Sequence, residues 1–188
     1  MIEDEWVKHI SECLKESDFL RETSTEVRTG LSLPYGFEIT SHRNVDSPLS
    51  KITSFETDLA IIEVDGVGNW KPRVIIEAKI RNITTHDAIT YSHKAASHKA
   101  VHPYLRYGIM LGNRQHHPLP GRLYRHGSHF DFMHSFAYEE VFPHEIEQFR
   151  ALLANEIEAS RTMEKLIYEN RSSARAKYTI FHRKLEVR

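Results

Sequence analysis

Arg73-Val74-Ile75-Ile76-Glu77-Ala78-Lys79-Ile80 reads as a buried strand carrying charges where an apolar run should have none. A carboxylate and an ammonium inside such a strand each cost roughly several kcal/mol unless paired or bound to a cation. A second apolar run with its own acid, Asp58-Leu59-Ala60-Ile61-Ile62-Glu63-Val64, lies just upstream. Asp65-Gly66-Val67-Gly68-Asn69 between them is rich in turn residues, which predicts an antiparallel hairpin. Pairing Asp58 with Glu77 centres that turn between Val67 and Gly68 and sets Glu56 opposite Lys79. Residues two apart on a strand share a face, so Glu77 and Lys79 point the same way. Ile75, Ala60 and Ile62 would share that face and bury it.

Two carboxylates side by side repel unless a cation stands between them. Mg²⁺ takes oxygen ligands and keeps several waters, so two carboxylates and a backbone carbonyl suffice for it. Such an ion acidifies a bound water and stabilises charge growing on a scissile phosphate. A neighbouring lysine orients the water or neutralises the phosphate. Glu77-Ala78-Lys79 is the only E-x-K in the chain. The structural alternative is a Glu56–Lys79 ion pair on a solvated face, with Asp58 ending a loop.

Working outward, Trp6, Val7, Ile10, Cys13 and Leu14 fall at helical spacing and predict a helix over about residues 3–20, with Arg21 to Leu31 continuing it or forming a second short one. Pro34-Tyr35-Gly36 breaks the pattern. Strands are expected over Phe37 to Ser41, Ser54 to Val64 and Arg73 to Ile80, with a loop from Arg43 to Ser50. Thr84 or Thr85 caps a helix running towards His102, which Pro103 ends or kinks. Tyr107 to Leu111 and Phe130 to Phe136 read as further strands, separated by a polar loop from Arg114 to His129. Pro143 opens a helix through Ile146, Phe149, Leu152, Leu153 and Ile157, continuing through Leu166. Its apolar stripe reads as core, with a dimer surface as the alternative. The tail from Lys177 to Val187 gives no clear pattern. This order describes an α/β sandwich with a small mixed sheet flanked by helices and a C-terminal helical segment.

Asp58, then Glu77-Ala78-Lys79 in a hairpin, followed by a helix and a strand, resembles the PD-(D/E)XK nuclease superfamily, the restriction-endonuclease-like fold, over about residues 20–115. The residue before Asp58 is Thr57 rather than the family's proline. The resemblance implies an α-β-β-β-α-β core and a Mg²⁺-dependent endonuclease that hydrolyses DNA phosphodiester bonds, with Mn²⁺ able to substitute. It implies that Asp58, Glu77 and the Ala78 carbonyl are metal ligands and that Lys79 is the catalytic lysine. Many members place a further Glu on the helix before the first core strand; Glu26 is the candidate, with Glu22 as the alternative.

Nucleic-acid contacts are expected from Lys94, His98 and Lys99, where Tyr91, Lys94 and His98 form one polar stripe of the helix flanking the site. Arg114, Arg122 and Arg125, in a loop with Tyr124, suit phosphate or groove contacts. The same residues fit a solvated surface. His98-x₃-His102 has the spacing of a helical zinc pair, to which His116, His117, His126 and His129 could add, so a histidine-bound zinc is a third reading.

The chain has 188 residues, 40% apolar and 27% charged, with a formal charge of −1, an ordinary make-up for one soluble domain. The core is expected over about 20–136 and C-terminal helices over about 143–172. Charge is unevenly spread. From Lys71 to His129 ten bases face two acids, a local excess of +8, whereas the first twenty residues hold six acids and two lysines. A basic middle suggests a polyanion-facing surface and DNA as partner. Cys13 is the only cysteine, which rules out a disulfide framework within the chain. The acidic start is unlike a signal peptide, and no apolar run reaches a membrane-spanning length, so a cytoplasmic setting without membrane is expected. A homodimer or a place in a nuclease complex is expected, because cutting a duplex needs two sites. A catalytically silent binding subunit of the same fold is the competing function.

Overall fold

The computed structural model of the chain describes residues 2–115, 119–169, 182 and 186. The helix α1 (Glu3–Lys15) and a single turn α2 (Phe19–Glu22) precede two long strands, β1 (Glu26–His42) and β2 (Pro48–Val64). Then come β3 (Trp70–Ile80), α3 (Thr85–Val101), β4 (Arg106–Gly112), α4 (Gly121–His126), β5 (Phe132–Ser135) and α5 (Pro143–Tyr168). The sheet order is β1-β2-β3-β4-β5, antiparallel through the first three strands and parallel through the last three. The protein is mixed α/β, a five-stranded mixed sheet with helices on both faces. Tight turns join the antiparallel strands, while each parallel step needs a crossover, supplied by α3 and by the α4 segment.

Alternation along the strands sorts residues between two cores. Leu59, Ile61, Val74, Ile76 and Ala78 pack beneath α1 and α5, against Trp6, Ile10, Leu14, Phe149, Leu153 and Ile157. Ala60, Ile62 and Ile75 turn the other way, towards Ala95 of α3 and Tyr107 of β4. The α5 stripe packs into the core through Ile146, Phe149, Leu153 and Ile157, as its spacing suggested, while Leu166 at its far end is exposed. Thr84 caps α3 as expected: its Oγ1 accepts the Asp87 N–H at 3.1 Å while the Asp87 carboxylate accepts the Thr84 N–H at 2.7 Å. Pro143 stands in the first turn of α5, where a missing N–H is harmless.

Several boundaries differ from the sequence expectation. The first helix stops at Lys15 rather than near residue 20, and Glu26 onward is strand rather than helix. β1 and β2 run far past the other strands as a two-stranded ribbon, and only residues 43–47 remain as loop. Cross-strand hydrogen bonding sustains the ribbon with little burial; Phe37, Ile39 and Ile52 are exposed on it. The expected polar loop from Arg114 to His129 contains α4, whose single buried apolar residue, Leu123, is too little to signal a helix. His116, His117 and, apart from His182 and Glu186, the tail from Lys177 to Val187 lie outside the described residues.

The β2–β3 register departs from a simple hairpin in a way that bears on the site. Near the turn, Val64 pairs with Trp70, Glu63 with Lys71 and Ile62 with Pro72, which centres the turn on Val67. That register, continued, would oppose Asp58 to Ile76. A bulge at Arg73 intervenes, and beyond it Ile61 pairs with Val74, Ala60 with Ile75 and Leu59 with Ile76. Asp58 and Glu77 are next in line. The expected register holds at the site because an extra residue compensates for a turn centred half a residue away. The Arg73 side chain is buried and bridges Glu63 at 2.6 Å and Glu164 of α5 at 2.7 Å, which fixes the bulge against the helix.

Candidate metal and phosphate site

The site lies where β2 and β3 stop pairing. Thr57, fully buried, donates its hydroxyl to the Leu31 carbonyl at 3.0 Å and pins β2 to β1 beside Asp58. The Asp58 carboxylate continues the β2–β3 connection with its side chain, accepting the Ala78 N–H at 2.7 Å. Glu77 is 1% exposed. Its Oε1 accepts from the Tyr107 hydroxyl at 2.5 Å, and the Lys94 ammonium lies 2.9 Å from Oε1 and 3.1 Å from Oε2.

Burial pushes the Asp58 carboxyl above the ordinary range, against the Ala78 N–H and Lys94, which pull it down. Burial likewise raises Glu77; Lys94 opposes the rise and Asp58 adds to it. The two acids thus feel one another, as neighbours in register must. The Tyr107 hydroxyl is also held protonated, first by burial and then by the Glu77 charge.

Lys79 leaves the strand at the same end but finds a different partner. Its ammonium meets Glu3 Oε1 at 2.8 Å and lies 5.4 Å from the centre of the Tyr91 ring. Burial works against its charge, but the Glu3 carboxylate and Tyr91 outweigh it and raise the lysine above its ordinary value. Glu3 also accepts the Ile80 N–H at 3.2 Å, so the first turn of α1 is bonded to the end of β3. The alternative Glu56–Lys79 ion pair does not form; from Glu56, it is the backbone carbonyl that reaches the cluster, accepting from Lys94 at 2.6 Å.

Among the expected residues, Asp58, Glu77 and Lys79 converge and Ala78 links them, its side chain buried on the α1 side and its N–H on Asp58. Glu26 does not join them. It opens β1 opposite Ile62, exposed, and pairs with Arg28 at 3.2 Å. The helical acid beside the lysine is Glu3, and Glu22 ends α2 instead. Nothing in the sequence near Glu3 distinguishes it from Asp4 and Glu5; all three sit in a first turn where acids suit the helix dipole.

Of the α3 stripe of Tyr91, Lys94 and His98, His98 lies in the interior and not on the expected DNA-facing surface, while Tyr91 and Lys94 are part-buried beside the acids. His98 is 0% exposed; its Nε2 donates to the Leu33 carbonyl at 3.1 Å and its Nδ1 faces the Tyr107 hydroxyl at 3.3 Å. Burial lowers its pKa to about 4, so it is neutral at pH 7. Its Nε2 is committed to the Leu33 carbonyl, and the His102 ring turns to the His98 carbonyl. Lys99 pairs with Asp131 at 2.8 Å. Arg114 donates to the Arg81 carbonyl at 2.6 Å and Arg122 to the Ile83 carbonyl at 3.0 Å, so both also hold loops in place. Arg125 is exposed on α4 beside Tyr124.

Among the described residues no group of three or more His, Cys, Asp or Glu side chains is arranged to hold a metal ion. A cation here would rest on Asp58, Glu77, a backbone carbonyl and water, a donor set that suits Mg²⁺. No helix among the described residues is long and apolar enough to cross a membrane. In comparison with known proteins, no family model matches the chain and no curated protein matches it.

Proposed function

We propose that the protein is a metal-dependent endonuclease that hydrolyses DNA phosphodiester bonds, with Mg²⁺ as cofactor and Mn²⁺ as its substitute. The supporting observation is the meeting of Asp58 and Glu77 at the open end of the β2–β3 pair, with Lys79 two residues further along the same strand. The order of α1, three antiparallel strands, a crossover helix and a parallel strand adds weight, since it resembles the α-β-β-β-α-β order expected of the restriction-endonuclease-like fold.

In this reading Asp58, Glu77 and the Ala78 carbonyl hold the ion. The ion, when bound, supplies an acidified water and charge neutralisation at the phosphate. Lys79 stays protonated, because Glu3 and Tyr91 stabilise its charge; it therefore acts as a cation that positions water and phosphate, not as the base that takes a proton. Glu3 holds that ammonium in place. Tyr107 fixes the Glu77 carboxylate through one oxygen, the usual way an outer partner orients a ligand. Arg125 and Tyr124 are the candidates for contact with DNA at the surface. Cutting both strands requires two such sites, from a homodimer or from another subunit of a nuclease complex, and the proposed setting is the cytoplasm.

The competing reading is a catalytically silent DNA- or protein-binding subunit. It is favoured by the pairing of both lysines of the cluster, Lys94 with Glu77 and Lys79 with Glu3. Plasmid cleavage with Mg²⁺ separates the two. The nuclease reading expects cleavage by the wild type and loss in Lys79→Ala and Asp58→Ala. Equal cleavage by both variants removes these residues from the chemistry. No cleavage of any nucleic acid, with no cation bound in calorimetry, favours the silent subunit.

A further inference from the structure

The Glu77 carboxylate has no oxygen left over. Tyr107 and Lys94 share Oε1, and Lys94 also lies within 3.1 Å of Oε2. Lys94 comes from the middle of α3, four residues before His98, and its side chain is 14% exposed. Its ammonium is held from a second side by the Glu56 carbonyl at 2.6 Å and lies 5.8 Å from the centre of the Phe55 ring. The ammonium thus lies directly against Glu77, and its charge also acts on Asp58.

We propose that Lys94 is a built-in counter-ion that competes with a divalent cation for Glu77, so that the ion enters only by displacing the ammonium. The inference rests on the cation-site reading above and adds a residue that no motif marks. The physical argument is charge balance. Without a cation, an unpaired carboxylate buried as deeply as Glu77 would be costly, and Lys94 removes that cost. With a divalent ion seated, the same ammonium would stand within a few ångströms of a double positive charge in a partly buried site, where repulsion is far stronger than in water. One of the two must leave. The Glu56 carbonyl gives the displaced ammonium a partner it already has, so leaving Glu77 does not strand the lysine. Lys94 is therefore a residue that sets cation affinity, distinct from Lys79, which pairs outside the two acids.

The test is calorimetric titration of the full chain with Mn²⁺ alone, for the wild type, Lys94→Met and Lys94→Arg. Lys94→Met should bind Mn²⁺ about tenfold or more tightly than the wild type, since a nearby positive charge is gone. Lys94→Arg should restore an affinity close to that of the wild type. A merely structural lysine predicts the opposite, weaker binding in Lys94→Met as Glu77 loses its support. Equal or weaker binding by folded Lys94→Met, with the wild type still binding, overturns this inference and leaves the cation site standing. No binding by any of the three overturns both. A second measurement needs no variant: amine-directed labelling of the wild type, read residue by residue by mass spectrometry. Mn²⁺ should increase labelling at Lys94 and leave Lys71, paired with Glu164 away from the site, unchanged. Unchanged labelling at Lys94 under saturating Mn²⁺ also overturns the proposal.

Discussion

Glu3 accepts a hydrogen bond from Lys79 at 2.8 Å across 76 residues of sequence, and the same carboxylate takes the Ile80 N–H at 3.2 Å. One acid in the first turn of α1 therefore fixes both the charge and the direction of the lysine of the E-x-K triplet. Replacing Glu3 by Gln keeps a side-chain oxygen for Ile80 and removes the charge that pairs with the Lys79 ammonium. Cleavage by Glu3→Gln should fall about 10- to 100-fold through misplacement of the ammonium. Single-turnover cleavage rates, with melting temperature as the control for folding, check this; an unchanged rate would release Glu3 from the site.

Asp58→Asn should lose cleavage yet stabilise the protein when no metal is present. The Asp58 carboxyl is raised above its ordinary value of 3.8, chiefly by burial, so the folded state holds its proton more tightly than the unfolded chain does. Ionisation then costs stability, a cost absent below the ordinary value and complete once pH passes the raised one. Asparagine retains an oxygen for the Ala78 N–H and carries no charge. In EDTA, Asp58→Asn should be more stable than the wild type at pH 8, with the gain shrinking towards zero near pH 4. Chemical denaturation at both pH values measures it; a loss of stability at pH 8 would contradict the account.

Acid should destabilise the fold through His134, opposite in sign to the effect at Asp58. This ring lies 4.6 Å from that of Phe136 and 4.8 Å from that of Phe149, and its Nε2 is buried without a hydrogen-bond partner. Burial lowers its pKa from 6.5 to about 4, although Glu145 pulls the other way. Its contribution is present above pH 6.5 and is lost as pH falls through about 4. His134→Leu should flatten the stability profile between those limits. Urea midpoints at intervals of pH give the result, and a profile as steep as that of the wild type would place the acid sensitivity elsewhere, with His98 the next candidate.

Gly108 marks where β4 and β5 approach under the ring of Phe132. A Cβ at Gly108 would stand 2.3 Å from two atoms of that buried ring. Gly108→Ala should cost about 1–3 kcal/mol by overpacking. Pairing it with Phe132→Leu should recover part of the loss, and a double-mutant cycle in urea shows whether the two sites are coupled.

Much of the frame was legible without coordinates, because it depends on local pattern. The apolar runs around Asp58 and Glu77, the Gly-rich turn, the Thr84 cap and the stripe of α5 each carry their own periodicity or turn chemistry, and each forms the expected element. The ribbon of β1 and β2 was harder to see. Its residues alternate weakly and bury little, so hydrogen bonding alone extends it past the breaks at Pro34 and Gly36.

The chain by itself determined which residue types stand in the hairpin and that Asp58 and Glu77 belong near one another. Folding decided who neutralises them. The α3 stripe could not be assigned to solvent or interior from sequence, since a polar face reads alike when it covers a buried carboxylate and when it meets water. Only packing turned Lys94 onto Glu77 and His98 into the core. Glu3 likewise looks like any acid at a helix start until α1 is laid across the end of β3. Local pattern is written in spacing along the chain, whereas charge pairing depends on distances between segments that only the tertiary structure sets.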